Sequence, residues 1–151
     1  ISPFDPVLAQ IDEVPIYTSI YNNKYVIAKI ISVYDGDTCN AIFTLPELNG
    51  QYYNYKIRLM GIDTAEIKPA LTVENREHQI SLAKEARDYI INNVAGKQVL
   101  LQLNGMDKYG RILAQIYLSS TADPEYCLNN MLINAGLAKV YNGGTKEQWK
   151  K

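Results

Sequence analysis

Tyr52-Tyr53-Asn54-Tyr55-Lys56-Ile57-Arg58-Leu59-Met60-Gly61-Ile62, followed at once by Asp63-Thr64-Ala65-Glu66, alternates in character and then ends in acids. Tyr53, Tyr55, Ile57 and Leu59 fall on one face of an extended chain, and Asn54, Lys56 and Arg58 fall on the other. That is the period of two expected of a half-buried strand. The pattern predicts a strand over residues 52–62. It sends Arg58 to the face opposite Leu59 and lets Asp63 emerge where the strand ends, so the charged groups gather at a strand mouth.

Working outward, residues 24–33 carry Val26, Ile27, Ile30, Ile31 and Val33 and read as a first strand. The Asp35-Gly36 pair then turns the chain into a second strand over 37–45, and 46–51 is a loop. Beyond a loop at 68–74, residues 75–94 read as a helix with Ile80, Ala83, Ala86, Ile90 and Val94 along one side and Gly96 as its stop. Strands follow over 97–103 and 111–118. Asp123 caps a second helix, Pro124 takes its first position, Leu128, Met131, Leu132 and Ala135 form its apolar stripe, and Gly136 ends it. A third helix starts over 145–151. Five short strands with inserted helices predict a β-rich α+β fold, a five-stranded OB-type barrel with two to three packed helices. Residues 1–23, with Pro3, Pro6 and Pro15 and no sustained period, read as an irregular N-terminal extension to a domain over 24–151.

Composition bounds the function. At 151 residues, 47% hydrophobic, the chain suits one domain with a real core. No apolar run approaches the roughly 20 residues needed to cross a bilayer. The chain begins at Ile1 without an initiator Met, so secretion after loss of an upstream signal peptide is one expectation and the compartment is otherwise open. Two cysteines and one histidine, His78, leave the zinc patterns unavailable. Cys39 shares a strand face with Asp37, Ala41 and Phe43, Cys127 lies on an apolar stripe, and both read first as core residues, with a disulfide between them open but not indicated. A net charge of −1 is unusual for a nucleic-acid enzyme, so either positive charge is concentrated locally or binding is weak. Lys68, Lys84, Arg87, Lys97, Lys108 and Lys139 are the candidates, and the expected consequence is modest affinity with activity that falls as salt rises.

The acids and arginines carry the chemistry. Asp37, in Asp35-Gly36-Asp37-Thr38, and Asp63 offer oxygen ligands of the kind Ca²⁺ accepts, while Glu66 is placed to face a water. Arg58 and Arg111, the latter closing Asp107-Lys108-Tyr109-Gly110-Arg111, can meet a phosphate and offset its charge. Taken singly, an Asp-Gly pair is ordinary turn chemistry and surface strands carry salt-bridged acids. Jointly and in this order, they describe a metal-assisted phosphodiesterase.

These segments resemble the staphylococcal nuclease (thermonuclease) family. Its DGDT turn, its R-x₄-D-T-P-E segment, its DKYGR segment and its GLAKV stretch are matched at residues 35–38, 58–66, 107–111 and 136–140, and the resemblance covers about 24–146. It implies one Ca²⁺ held by Asp37, Asp63 and the carbonyl of Thr64, with Asp35 behind them. Glu66 would activate water, Arg58 and Arg111 would hold the phosphate, and Lys108, Tyr109 and Tyr141 would contact the nucleotide. It further implies cleavage of DNA and/or RNA with low sequence specificity, leaving 3′-phosphorylated ends, with a monomer as the default. Ala65 stands where the family has proline, which relaxes the backbone between two active residues and predicts weaker Ca²⁺ binding. The same barrel also serves as a non-catalytic module that binds nucleic acid or protein, and such modules typically lack several of these acids and arginines. A glycosidase reading of Asp63 and Glu66 would leave both arginines and Asp37 idle.

Overall fold

The computed structural model describes residues 5–13, 19–143 and 149. Among the described residues the regular elements are β1 (Asn22–Asp35), β2 (Thr38–Phe43), β3 (Tyr53–Leu59), β4 (Ile62–Asp63), α1 (Arg76–Val94), β5 (Gln98–Met106), β6 (Ile112–Tyr117), α2 (Leu128–Asn134) and β7 (Lys139–Val140). Five strands close a barrel in the order β1-β2-β3-β6-β5, and β4 pairs with β7 outside it. This is the β-rich α+β barrel expected from the strand pattern.

β1 is the organising strand. It pairs with β5 over its first half and with β2 over its second, and register shifts between Ile30 and Ser32 and between Val33 and Asp35 let it bend from one partner to the other. Ile30, Cys39, Phe43, Ile57, Leu101 and Ile116 point into the barrel and are fully buried or nearly so. Ile90 and Val94 of α1 and Leu128 and Leu132 of α2 complete the same core. Tyr55 stacks on Phe43 with ring centroids 4.3 Å apart and meets Tyr21 edge-on at 5.8 Å, so part of the tyrosine content is packing.

The third strand stops earlier than its alternation suggests. β3 ends at Leu59, Gly61 takes a φ of +80° that glycine tolerates, and Ile62–Asp63 form a separate short strand paired with Lys139–Val140. The apolar run through Met60 and Ile62 hides this bend. Where β3 leaves, the edge of β6 is covered by the side chain of Asn129, which is 3% exposed. Its Nδ2 donates to the Met60 carbonyl at 2.8 Å and its Oδ1 accepts from Ile116 N–H at 3.2 Å. A buried amide thus satisfies the backbone groups a departing strand leaves open.

The helices need two corrections. Asp123 does accept from Glu125 N–H at 3.0 Å and Pro124 follows it, but they open a one-turn 3-10 segment, and α2 begins only at Leu128. Cys127 interrupts the run because it bridges to Tyr117 of the barrel. In α2 the buried face is Leu128, Asn129 and Leu132, with Ala135 exposed; in α1, Gln79 is buried where Ile80 was expected. The expected third helix falls outside the described residues, Trp149 excepted.

The β1–β2 turn is where the fold most directly shapes the site. A Cβ at Gly36 would stand 2.6 Å from the Ala86 Cβ of α1 and 2.8 Å from Thr64 Cγ2, so only glycine lets the turn press against both. Gly36→Ala is expected to destabilise the protein by about 1–3 kcal/mol, as overpacking does. A thermal unfolding curve for that variant checks it, and an unchanged midpoint would show that the turn has room to move.

Candidate functional site

The β1–β2 turn, the segment after β3 and the start of β6 meet around a cleft of about 230 Å³. Six residues singled out from the sequence line it: Asp35, Asp37, Arg58, Thr64, Glu66 and Arg111. Tyr34, Ile67 and Lys68 also line it, with Ala65 at the proline position. Lys68 stood out only as one charge among several, and Tyr34 and Ile67 not at all.

Asp37 is 8% exposed and anchors the floor. Its Oδ2 lies 3.4 Å from Arg58 Nη2 and 3.5 Å from Thr64 N, and its Oδ1 accepts from Thr38 Oγ1 at 3.1 Å. Asp35 sits beside it and accepts Asp37 N–H at 3.1 Å. Burial, then repulsion from Asp37, pushes the Asp35 carboxyl well above the ordinary carboxylate range, with Arg58 opposing only in part. Burial also raises the Cys39 thiol to about 12, so it stays protonated and unreactive.

Arg58 is committed to the protein itself. Nη1 donates to the Leu59 carbonyl at 2.5 Å and Nη2 to the Ile62 carbonyl at 2.8 Å, on either side of the bend between β3 and β4. The fork expected on a phosphate holds the strand mouth together while still bordering the cleft.

Arg111 is set differently. Its Nε donates to Asp107 Oδ2 at 2.7 Å, while Asp107 Oδ1 accepts the backbone N–H groups of Tyr109 and Arg111, each at 2.9 Å. Nη1 reaches Thr38 Oγ1 at 3.4 Å, which links Arg111 to Asp37 through one hydroxyl. Asp107 is therefore the holder of Arg111, a role its i, i+4 spacing within the DKYGR turn could have signalled. Burial raises its pKa, but the bonds from Arg111 and Tyr109 outweigh that and leave it lowered. A carboxyl depressed in the folded state adds stability above its unfolded pKa, and that stability is lost as pH falls through the folded value. Asp107→Asn should cost about 0.5–1 kcal/mol near neutrality, solvent screening included, and the cost should vanish in acid. Urea unfolding of both proteins across pH 2–7 reads this difference; a gap that persists at the acid end would contradict it.

The remaining residues expected at the site, Lys108, Tyr109, Tyr141 and Asp63, do not line the cleft. Tyr109 is 71% exposed on the β5–β6 turn, with Lys108 Nζ 5.2 Å and Arg111 Cζ 5.5 Å from its ring centroid. Tyr141 follows β7 and donates its backbone N–H to Gly61 at 2.9 Å. Asp63, 5% exposed on β4, pairs in register with Lys139 and does not line the cleft.

A hard cation fits this donor set. Its oxygens are those of the Asp37 carboxylate and of the Thr64 hydroxyl, which is buried without a hydrogen-bond partner, and a cation would relieve the repulsion between Asp37 and the Asp35 carboxyl behind it. Among the described residues no three Asp, Glu, His or Cys side chains converge to hold an ion unaided. Backbone, hydroxyl, water and phosphate oxygens would complete the shell, as hard cations accept.

A closed barrel of this topology, with acids and arginines gathered at one strand mouth, defines a class of protein. Residues 56–151 match the family described as staphylococcal nuclease homologue, and the chain belongs to it. An uncharacterized protein of Methanocaldococcus jannaschii is 27% identical over 141 residues, covering 83% of this chain and 64% of that protein. A probable endonuclease of Phaeosphaeria nodorum is 34% identical over 96 residues, 64% of this chain and 30% of its own. An uncharacterized endonuclease of Escherichia coli is 27% identical over 108 residues, 66% of this chain and 68% of its own. The matched stretch thus covers less than two thirds of the archaeal and fungal relatives. Among the described residues no helix is long and apolar enough to cross a membrane.

Proposed function

We propose that this chain is a nuclease that hydrolyses phosphodiester bonds of DNA and/or RNA with low sequence specificity. The observation that carries the reading is that Glu66 lines the same cleft as Asp37 and Arg111 yet is exposed and has no hydrogen bond or ion pair among the described residues. A carboxylate left unpaired in a cleft that also holds Arg58, Lys68 and Arg111 is placed to take a proton from an attacking water. Membership in the family and the endonuclease names of two relatives support the same class.

Asp37, the Thr64 oxygens and Asp63 from the flank would hold one Ca²⁺, with Asp35 supporting Asp37 from behind. Bound there, the ion supplies Lewis-acid polarisation of the scissile phosphate. Glu66 orients the water and accepts its proton. Arg111, with Nε fixed by Asp107, turns its terminal nitrogens toward a phosphate, and Arg58 adds positive charge from below, so the transition state's extra charge meets pre-set donors. Expulsion of the 5′ oxygen leaves a 3′-phosphate.

The test is to incubate the chain with single-stranded DNA and with RNA in low salt, with Ca²⁺ or with chelator. Cleavage that requires the ion and leaves 3′-phosphate ends supports the reading. A folded chain that cleaves neither polymer with any divalent ion would instead be a binding module of the same fold.

A further inference from the structure

Tyr34 is the cleft residue for which neither the core nor the hydrolytic chemistry gives a use. It stands at the end of β1, immediately before Asp35, and lines the cleft with its side chain 53% exposed. Among the described residues it makes no hydrogen bond, ring contact or cation contact. Tyr21, Tyr53 and Tyr55 contact one another or Phe43, and Tyr117 bonds two glutamines. The same lining includes Lys68, exposed and without an ion pair, and the apolar Ile67. An unpartnered aromatic face and an unpaired ammonium in one cleft are the combination that binds a nucleotide's base and backbone together.

We propose that Tyr34 is a specificity-determining residue whose ring stacks on a base of the strand threaded through the cleft, giving preference for unpaired over duplex nucleic acid. The preference follows because a base can lie on the ring only when it has left its own helical stack. Tyr109, on the β5–β6 turn, belongs to a different element and does not line this cleft, so the two rings are separate candidates for stacking. The proposal rests on the nuclease reading only for the identity of the strand, since stacking itself needs no hydrolysis.

The test measures binding by fluorescence anisotropy, with Ca²⁺ present, on a Glu66→Gln background so that the labelled strand survives. Tyr34→Ala should weaken binding of a single-stranded oligonucleotide about tenfold, the size of one base–aromatic stack. Duplex binding should be unchanged, and Tyr34→Phe should match tyrosine, because the ring and not the hydroxyl does the holding. In the cleaving protein the same loss should appear in KM with kcat retained. An abasic position moved along the strand should erase the alanine penalty at one place. The proposal is overturned if alanine binds single strands as tyrosine does, if single strand and duplex weaken equally, or if phenylalanine is as poor as alanine. Should the parent chain fail to cleave, the nuclease reading falls while the affinity series still decides the role of Tyr34.

Discussion

Arg58→Ala is expected to remove about 3–5 kcal/mol of folding stability, the range found when one partner of a buried charge pair is deleted. The residue is 8% exposed, and its side chain ties together the Leu59 carbonyl, the Ile62 carbonyl and the Asp37 carboxylate. Alanine would leave two carbonyls and a carboxylate without those donors, each at a cost in a low-dielectric setting. At about 2–4 °C per kcal/mol for a chain of this size, the midpoint should fall by roughly 10 °C or more. Lysine should not restore it, because one ammonium cannot reproduce a planar fork that reaches three acceptors. A midpoint within a degree or two of the parent would show that the strand mouth is held by something else. Lost activity in Arg58→Ala therefore cannot by itself assign that residue to the reaction.

Glu66→Gln is the opposite case. The glutamate is exposed and holds nothing in the fold, so the amide should leave the unfolding midpoint where it is. It keeps the shape of the side chain but cannot accept a proton, and general-base catalysis contributes typically 10²–10⁴-fold. Cleavage should fall by about that factor, through kcat and not through KM, because substrate contacts are otherwise intact. A fall confined to KM would recast Glu66 as a binding group.

The contrast between these two residues marks the limit of what the sequence conveys. The alternation of Tyr53, Tyr55, Ile57 and Leu59 made β3 legible, and the Asp-Gly pair made the β1–β2 turn legible, because both are local signals. The acids and arginines could be gathered as candidates because the strands that carry them were recognisable. What lay beyond reach depends on contacts across the chain. Arg58 looked like a free phosphate fork because nothing in its neighbourhood announces that the chain bends at Gly61 and turns two carbonyls toward it. Asn129 carries no local signal of its role, because its partners, Met60 and Ile116, lie 69 and 13 residues away. Gly36 read as turn chemistry, although its φ is not in the left-handed region and its need for glycine comes from Ala86 and Thr64 pressing on it. Tyr34 sits next to the most visible motif in the chain but carries no signal of its own, since exposure of a ring in a cleft is a property of the folded surface.

The most direct test compares the parent with Glu66→Gln on one single-stranded oligonucleotide, in low salt with Ca²⁺, recording cleavage and binding on samples of equal unfolding midpoint. The parent should cleave and leave 3′-phosphate ends, while the variant should bind the strand equally well and scarcely cut it. Equal cleavage by both proteins would contradict that expectation and move the reaction away from this cleft.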